Sequence, residues 1–421
     1  MRGQSSKIAR MGDEKTIPEQ LALLRRGLAD ELPAGGLHKK LIEKQADGKP
    51  LRVKLGVDPT ASRVHLGWAV VLRKLRQFQE CGHTAVLIIG DFTAQVGDPS
   101  GKSKTRRRLS SEEVQQHADA CIAALRRILL PEPLEIRYNS EWLGQMSMED
   151  VLHLSASTTV AQLLERDDFS KRFAASKAIS LIEFMYPLLQ AQDSVAVAAD
   201  VEIGGTDQTF NTLMGRHLQH SLGQPGQVVC TLPLLVGTDG VEKMSQSLGN
   251  VIGVDEPPNE MFGKLMSIPD HLIVDYARLA VWWPTADVEA LAVALEDASR
   301  HPNEAKRSVG RDLVDLYWGT GAGEEAERAF DHQFKGKGIP KDVPEHWIET
   351  DQVQLVDLVA SVFGVSRSEA RRLVEQGGVK LDGVVLRDRD AMFAVADING
   401  GVLQAGKRRF FRLCSGQAPI S

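Results

Sequence analysis

No run of eighteen consecutive apolar residues occurs in the 421-residue chain, which excludes a membrane-spanning helix of ordinary length. Cysteine is scarce. The four, Cys81, Cys121, Cys230 and Cys414, stand far apart, with no metal-ligand spacing and no disulfide framework. That usage fits a reduced, cytoplasmic setting, and no tightly bound metal is expected. Positive charge is not in excess either: 50 Lys and Arg face 56 Asp and Glu, a net of −6. An RNA partner would therefore have to be met by local basic patches. No internal repeat or low-complexity tract appears. What remains is an ordinary globular composition, 43% hydrophobic and 25% charged, with length for two or three domains.

Residues 1–45 read as a polar lead-in with one amphipathic helix near 18–29. Arg2, Lys7 and Arg10 are followed at once by Asp13 and Glu14 without a hydrophobic segment, so the start reads as a leader without fixed structure; Met1 and Met11 are alternative starts. Residues 46–257 carry a strand–helix–strand pattern. A strand over 51–57 is stopped by Pro59. A helix over 66–80 puts Leu72, Leu75 and Phe78 on one face and ends near Gly82. The apolar run 85–89 is the mark of a parallel strand covered on both faces. Such a unit crosses over right-handedly, and ligands sit at its strands' carboxyl ends, where Asp58 and residues 90–93 lie. Residues 110–195 read as helical, an insertion before strands resume near 195–203 and 228–235. Residues 258–333 are helical again, with candidates at 261–266, 272–282 and 285–296, the last capped by Thr285. Residues 334–350 read as a linker, and 351–421 as a small module. The fold class expected is α/β: a Rossmann-like parallel-sheet nucleotide-binding domain with a helical insertion, then an α-helical domain and a small α+β C-terminal domain.

Two islands carry the chemistry. In residues 59–68, PTASRVHLGW, His65 stands at the start of a predicted helix, where its N–H and the free backbone N–H groups suit a phosphate. In isolation the triplet is an ordinary polar helix start. In residues 241–250, VEKMSQSLGN, Lys243 sits in a polar loop as a point charge for a leaving phosphate; alone it is a surface lysine. Residues 97–108 pack Lys102, Lys104, Arg106, Arg107 and Arg108 closely enough to clamp pyrophosphate. They do not form a Walker loop, because Val96 holds the position that needs glycine. Tyr186, Gln190 and Asp193 share one helix face. They line either a polar pocket in an apolar wall, or a core with two solvent-facing polar groups. In residues 201–211, Gly204 and Gly205 permit close backbone approach, Asp207 suits a ribose hydroxyl and Gln208 a carboxylate, on what is otherwise a plain strand-to-helix turn.

The two islands resemble the paired HIGH and KMSKS motifs of class I aminoacyl-tRNA synthetases. Together with the GDPSGK loop, the Tyr-x3-Gln-x2-Asp helix and the GGTDQ turn, they resemble the tyrosyl-tRNA synthetase family from about residue 18 onward. The resemblance implies that Asp98, Tyr186 and Gln190 hold the substrate amino group, Asp193 the phenolic hydroxyl, Asp207 the ribose and Gln208 the carboxylate side. It implies that Thr60, His65, Lys102, Arg106 and Lys243 stabilise the α-phosphate and departing pyrophosphate. Asp58, Gly67, Trp68, Gly205, Met244 and Ser245 would complete the ATP site. Catalysis would then be positioning and charge stabilisation. A buried Asp193 left without a phenol would reject phenylalanine, a rule for which tyrosyl enzymes are themselves the standard example.

Residues 366–383 resemble a small RNA-binding fold shared with a ribosomal protein, offering Arg367, Arg371, Arg372 and Lys380. With ten Lys and Arg against eight Asp and Glu in residues 351–421, binding there depends on arrangement, not bulk charge. Three departures from the family pattern stand out: Trp68 for the second histidine, Gln246 for the second lysine, and Lys54 where the better-known branch has a tyrosine at the phenol. A basic residue at that last position is usual in the second bacterial branch. The implied reaction is tyrosine activation by ATP, with Mg²⁺, then transfer to the 3′-terminal adenosine of tRNA(Tyr), in a homodimer formed through residues 125–195. An inactive RNA-binding relative, or an adenylating enzyme for another aromatic amino acid, are the alternative readings.

Overall fold

The structure is a computed structural model that describes residues 15–59, 64–97, 111–334, 343–406 and 409–416. The chain divides into two compact units, Met1–Ala329 and Phe330–Ser421.

The first unit is built on six strands: β1 Asp30–Leu32, β2 Arg52–Val57, β3 Thr84–Ile89, β4 Leu134–Tyr138, β5 Val201–Gly205 and β6 Val228–Leu232. Their order is β1-β6-β5-β2-β3-β4. β2 to β6 run parallel, and β1 pairs antiparallel with β6. β6 is buried throughout and β3 after its first residue, as apolar strands covered on both faces must be. β2 lies between β3 and β5, so the chain's strand order reverses beside β2, the place where such sheets open a crevice.

The helix Leu66–Glu80 follows β2 and buries Leu72, Leu75 and Phe78. It also buries Lys74 completely. The Lys74 ammonium donates to the carbonyls of Leu24 and Arg26, both at 2.8 Å. It thereby caps the C-terminus of the helix Ile17–Arg25, and burial pushes its pKa down to about 7.

Several sequence expectations change. The first helix ends at Arg25, not near residue 29; Gly27 at φ 75° turns the chain into β1. Residues 110–195 do not merely interrupt the sheet: β4 lies inside them and pairs with β3. The strand expected from 195 begins at Val201, because the helix Leu181–Ala196 runs on past that point and Ala198, at φ 47°, makes the turn. The expected helix 272–282 is a succession of short turns, including a π-helical one over Tyr276–Val281, that ends on Trp282 at φ 65°. In the helix Thr285–Glu296, Pro284 takes the cap position and Thr285 is the first helical residue. Of the expected linker 334–350, residues 335–342 lie outside the described residues.

The second unit carries a five-stranded sheet formed by Glu345–Ile348, Val379–Leu381, Val384–Val385, Val402–Ala405 and Arg409–Ser415. Its first strand falls inside the segment read as linker. The helices Leu355–Phe363 and Arg367–Glu375 pack Leu355, Val359, Ala370 and Val374 against Leu403 and Leu413.

Candidate active site

A cavity of about 790 Å³ opens at the carboxyl ends of β2 and β5, a volume typical of small-molecule sites. It gathers Asp58, His65, Gly67, Trp68, Tyr186, Gln190, Asp193, Gly205, Asp207, Gln208, Lys243, Met244 and Ser245. Residues expected from four separate segments therefore meet at one place. Thr60, Asp98, Lys102 and Arg106 lie outside the described residues.

One wall carries a continuous hydrogen-bonded chain. The Tyr186 hydroxyl donates to Asp58 Oδ2 at 2.8 Å, and Thr93 Oγ1 donates to Asp58 Oδ1 at 2.7 Å. Thr93 Oγ1 accepts from Asn139 Nδ2 at 3.0 Å, which also reaches Asp193 Oδ2 at 3.4 Å. Trp142 Nε1 donates to Asp193 Oδ1 at 2.9 Å. Gly90 sits against Asp58 and Thr93, and a side chain there would strike both. Burial raises the Asp193 pKa to about 7 despite nearby Lys54 and the two donors. Thr93 belongs to the stretch 90–93 expected at a strand's carboxyl end, whereas Trp142 and Asn139 follow β4, itself unforeseen, and no motif marks them.

Lys54 is placed differently from expectation. It is fully buried and does not line the cavity. Its ammonium pairs with Glu202 at 3.0 Å and donates to Ser194 Oγ at 2.7 Å and to the Gln190 carbonyl at 2.9 Å. Those partners hold it behind the wall that Gln190 and Asp193 form.

At the other end, His65 caps the helix Leu66–Glu80 in an extended conformation. Its ring is 7% exposed, and Nδ1 has no partner among the described residues. Burial pushes its pKa down to about 4, so at neutral pH it is a neutral donor and not a cation. A Cβ on Gly67 would come within 3.0 Å of this ring. Lys243 pairs with Asp207 at 2.6 Å. The loop around it is pinned by Asn250, which is almost fully buried. Asn250 accepts from Ser245 N at 2.8 Å and donates to Asp239 Oδ2 at 2.8 Å.

In the second unit, Arg367, Arg371 and Arg372 are exposed on the helix Arg367–Glu375, with Lys380 on the following strand. Arg367 is engaged by Asp357 at 2.6 Å.

The sequence profile described as tRNA synthetases class I (W and Y) matches residues 45–335, and that of the S4 domain matches residues 354–390. The chain belongs to the class I aminoacyl-tRNA synthetases. The tyrosine–tRNA ligase of Moorella thermoacetica is 49% identical over 401 residues, spanning 95% of this chain and 97% of the relative. That of Thermotoga maritima is 45% identical over 403 residues, spanning 96% and 99%. Among solved structures, the tyrosyl-tRNA synthetase of Archaeoglobus fulgidus, complexed with L-tyrosine, is 25% identical with a TM-score of 0.59, covering 74% of this chain and 99% of that one. Within the class, the chain is a member of the tyrosine–tRNA ligase family.

Proposed function

We propose that the cavity binds L-tyrosine and ATP side by side and joins them as tyrosyl-adenylate. A carboxylate oxygen of tyrosine forms the bond to the α-phosphorus, the bond to the bridging oxygen breaks, and pyrophosphate leaves. The 3′-terminal adenosine of tRNA(Tyr) then takes the tyrosyl group and AMP departs. Asp193 accepts the phenolic hydroxyl. Tyr186 and Gln190, with Asp98, hold the ammonium, and Gln208 the carboxylate. Asp207 takes the ribose. Neutral His65 and cationic Lys243, joined by Thr60, Lys102 and Arg106, carry charge on the phosphates as it builds. Lys54 supports the phenol end from behind. Mg²⁺ enters as part of the Mg·ATP substrate.

The observation that carries this reading is the hydrogen-bonded chain from Tyr186 through Asp58, Thr93 and Asn139 to Asp193 and Trp142. Its members Asp58, Thr93, Tyr186 and Asp193 line a cavity whose other walls include Leu55, Val71 and Leu235.

The insertion favours a homodimer, because Met148, Leu152, Val160, Phe173 and Leu181 are large apolar side chains left exposed there. The arginines of the second unit suit the tRNA backbone. No helix among the described residues is long and apolar enough to cross a membrane, and a cytoplasmic setting fits the free cysteines. The test is amino-acid-dependent ATP–pyrophosphate exchange across all twenty amino acids, followed by tRNA charging. Exchange with tyrosine alone supports the reading; none with any amino acid, on folded protein, overturns it.

A further inference from the structure

Neither His65 nor Lys243 lies on a strand of the six-stranded sheet. Each sits on a short backbone pairing of its own. Around Lys243 the chain folds back on itself. Lys243 is bridged to Val236, Gly237 N donates to the Glu242 carbonyl at 2.8 Å, and Met244 N donates to the Leu235 carbonyl at 2.8 Å. At His65 the partner is the segment that leaves this loop. Gly253 is bridged to His65, Leu66 N donates to the Ile252 carbonyl at 2.9 Å, and Val254 N donates to the Val64 carbonyl at 3.0 Å. Two-stranded pairings this short are marginal by themselves.

Side chains of the helical elements that follow supply the missing support. The Tyr276 hydroxyl donates to the Val236 carbonyl at 2.9 Å, from a fully buried ring on the π-helical turn. That carbonyl belongs to the residue bridged to Lys243. Pro269 packs on the same fold-back, where Gly240, at φ 80°, leaves room for it. At the other pairing, Lys264 of the helix Pro258–Ser267 donates to the Val251 carbonyl at 3.3 Å and pairs with Glu256 at 2.5 Å. Glu256 is 6% exposed and lies against Gly253, where an added Cβ would come within 3.2 Å of its Cγ. Gly253 is the residue bridged to His65. The helix Pro302–Trp318 packs on both the helix Pro258–Ser267 and the π-helical turn, with Gly310 admitting the Phe262 ring. The two anchors therefore share one base.

We infer that Tyr276 and the Glu256–Lys264 pair are positioning residues, which set Lys243 and His65 in register for the phosphates of one ATP. None of the three lines the cavity. This rests on the phosphate roles proposed above. Charge stabilisation by fixed groups is sensitive to misplacement by about an ångström. The anchors touch no ligand, so their loss belongs in the rate of adenylation and not in tyrosine binding.

Tyr276→Phe removes one hydroxyl and keeps the ring. Glu256→Leu removes the other anchor without leaving a buried charge, because the Lys264 side chain is 40% exposed and stays hydrated. Single-turnover adenylate formation should slow on the order of tenfold in each, with the calorimetric tyrosine Kd unchanged. The same changes are then made in chains that lack the group each anchor places. Tyr276→Phe should cost nothing further beside Lys243→Ala, and Glu256→Leu nothing further beside His65→Ala. Residues that merely stabilise the fold cost the same in either background, so full additivity overturns the inference. A parallel loss of tyrosine binding overturns it too, and an unslowed variant removes its own anchor. Lys243→Ala and His65→Ala by themselves test the level beneath: if both leave the rate intact, the phosphate-site reading fails, whatever the anchors do.

Discussion

Asp193 receives Trp142 and Asn139 as donors, yet its burial holds its pKa near 7. The acid form is neutral and tolerates a missing partner. The carboxylate, once formed, is a buried charge that needs the phenol's proton. Selectivity for tyrosine over phenylalanine should therefore rise with pH through about 7, by roughly tenfold or more between pH 6 and 8.5. Exchange kinetics with both amino acids across that range measure it, and a flat ratio would remove the role given to Asp193. His65 does not confuse the profile, since its own titration lies near pH 4. The residue scale is also where reading from sequence went furthest and then stopped. Tyr186, Gln190 and Asp193 are legible because helical spacing is local. Trp142 is not, because its partner lies 51 residues away. Lys54 is legible as important and illegible as buried, since its counter-ion stands on another strand.

Among the elements, the helix Leu66–Glu80 and the strand Thr84–Ile89 follow directly from periodicity and an unbroken apolar run. β4 escapes because all five of its residues are only half-buried at a sheet edge, so neither pattern develops. β1 escapes because three residues mean nothing until β6 is beside them. In the Lys243 loop one side chain, Asn250, ties together Asp239, Glu242, Lys243 and Ser245. Asn250→Ala should slacken it and lower the adenylation rate by about 10- to 100-fold, while the tyrosine Kd stays put. Single-turnover adenylate formation distinguishes the two; a parallel loss of tyrosine binding would show damage beyond the loop.

For the molecule as a whole, the exposed apolar residues of the insertion predict an association that a single charge should break. Leu181→Asp is expected to shift the light-scattering mass from twice 46.1 kDa to 46.1 kDa. An unchanged mass, or a wild-type chain already at 46.1 kDa, would remove the dimer from the account. The second unit behaves as a separate body in composition as well as in contacts: its helix Arg367–Glu375 concentrates cations that the chain's overall net of −6 conceals.

The Lys243–Asp207 pair has a thermodynamic meaning of its own. Without ATP, the group proposed for the phosphates and the group proposed for the ribose neutralise each other. A sugar hydroxyl that claims Asp207 releases Lys243, so the two ends of the nucleotide assist one another. Adenosine should tighten pyrophosphate binding, and by the same factor pyrophosphate should tighten adenosine. The pair is solvent-exposed enough that this synergy is at most about fivefold. It is a small latch, sized to be opened by the correct substrate without holding it back.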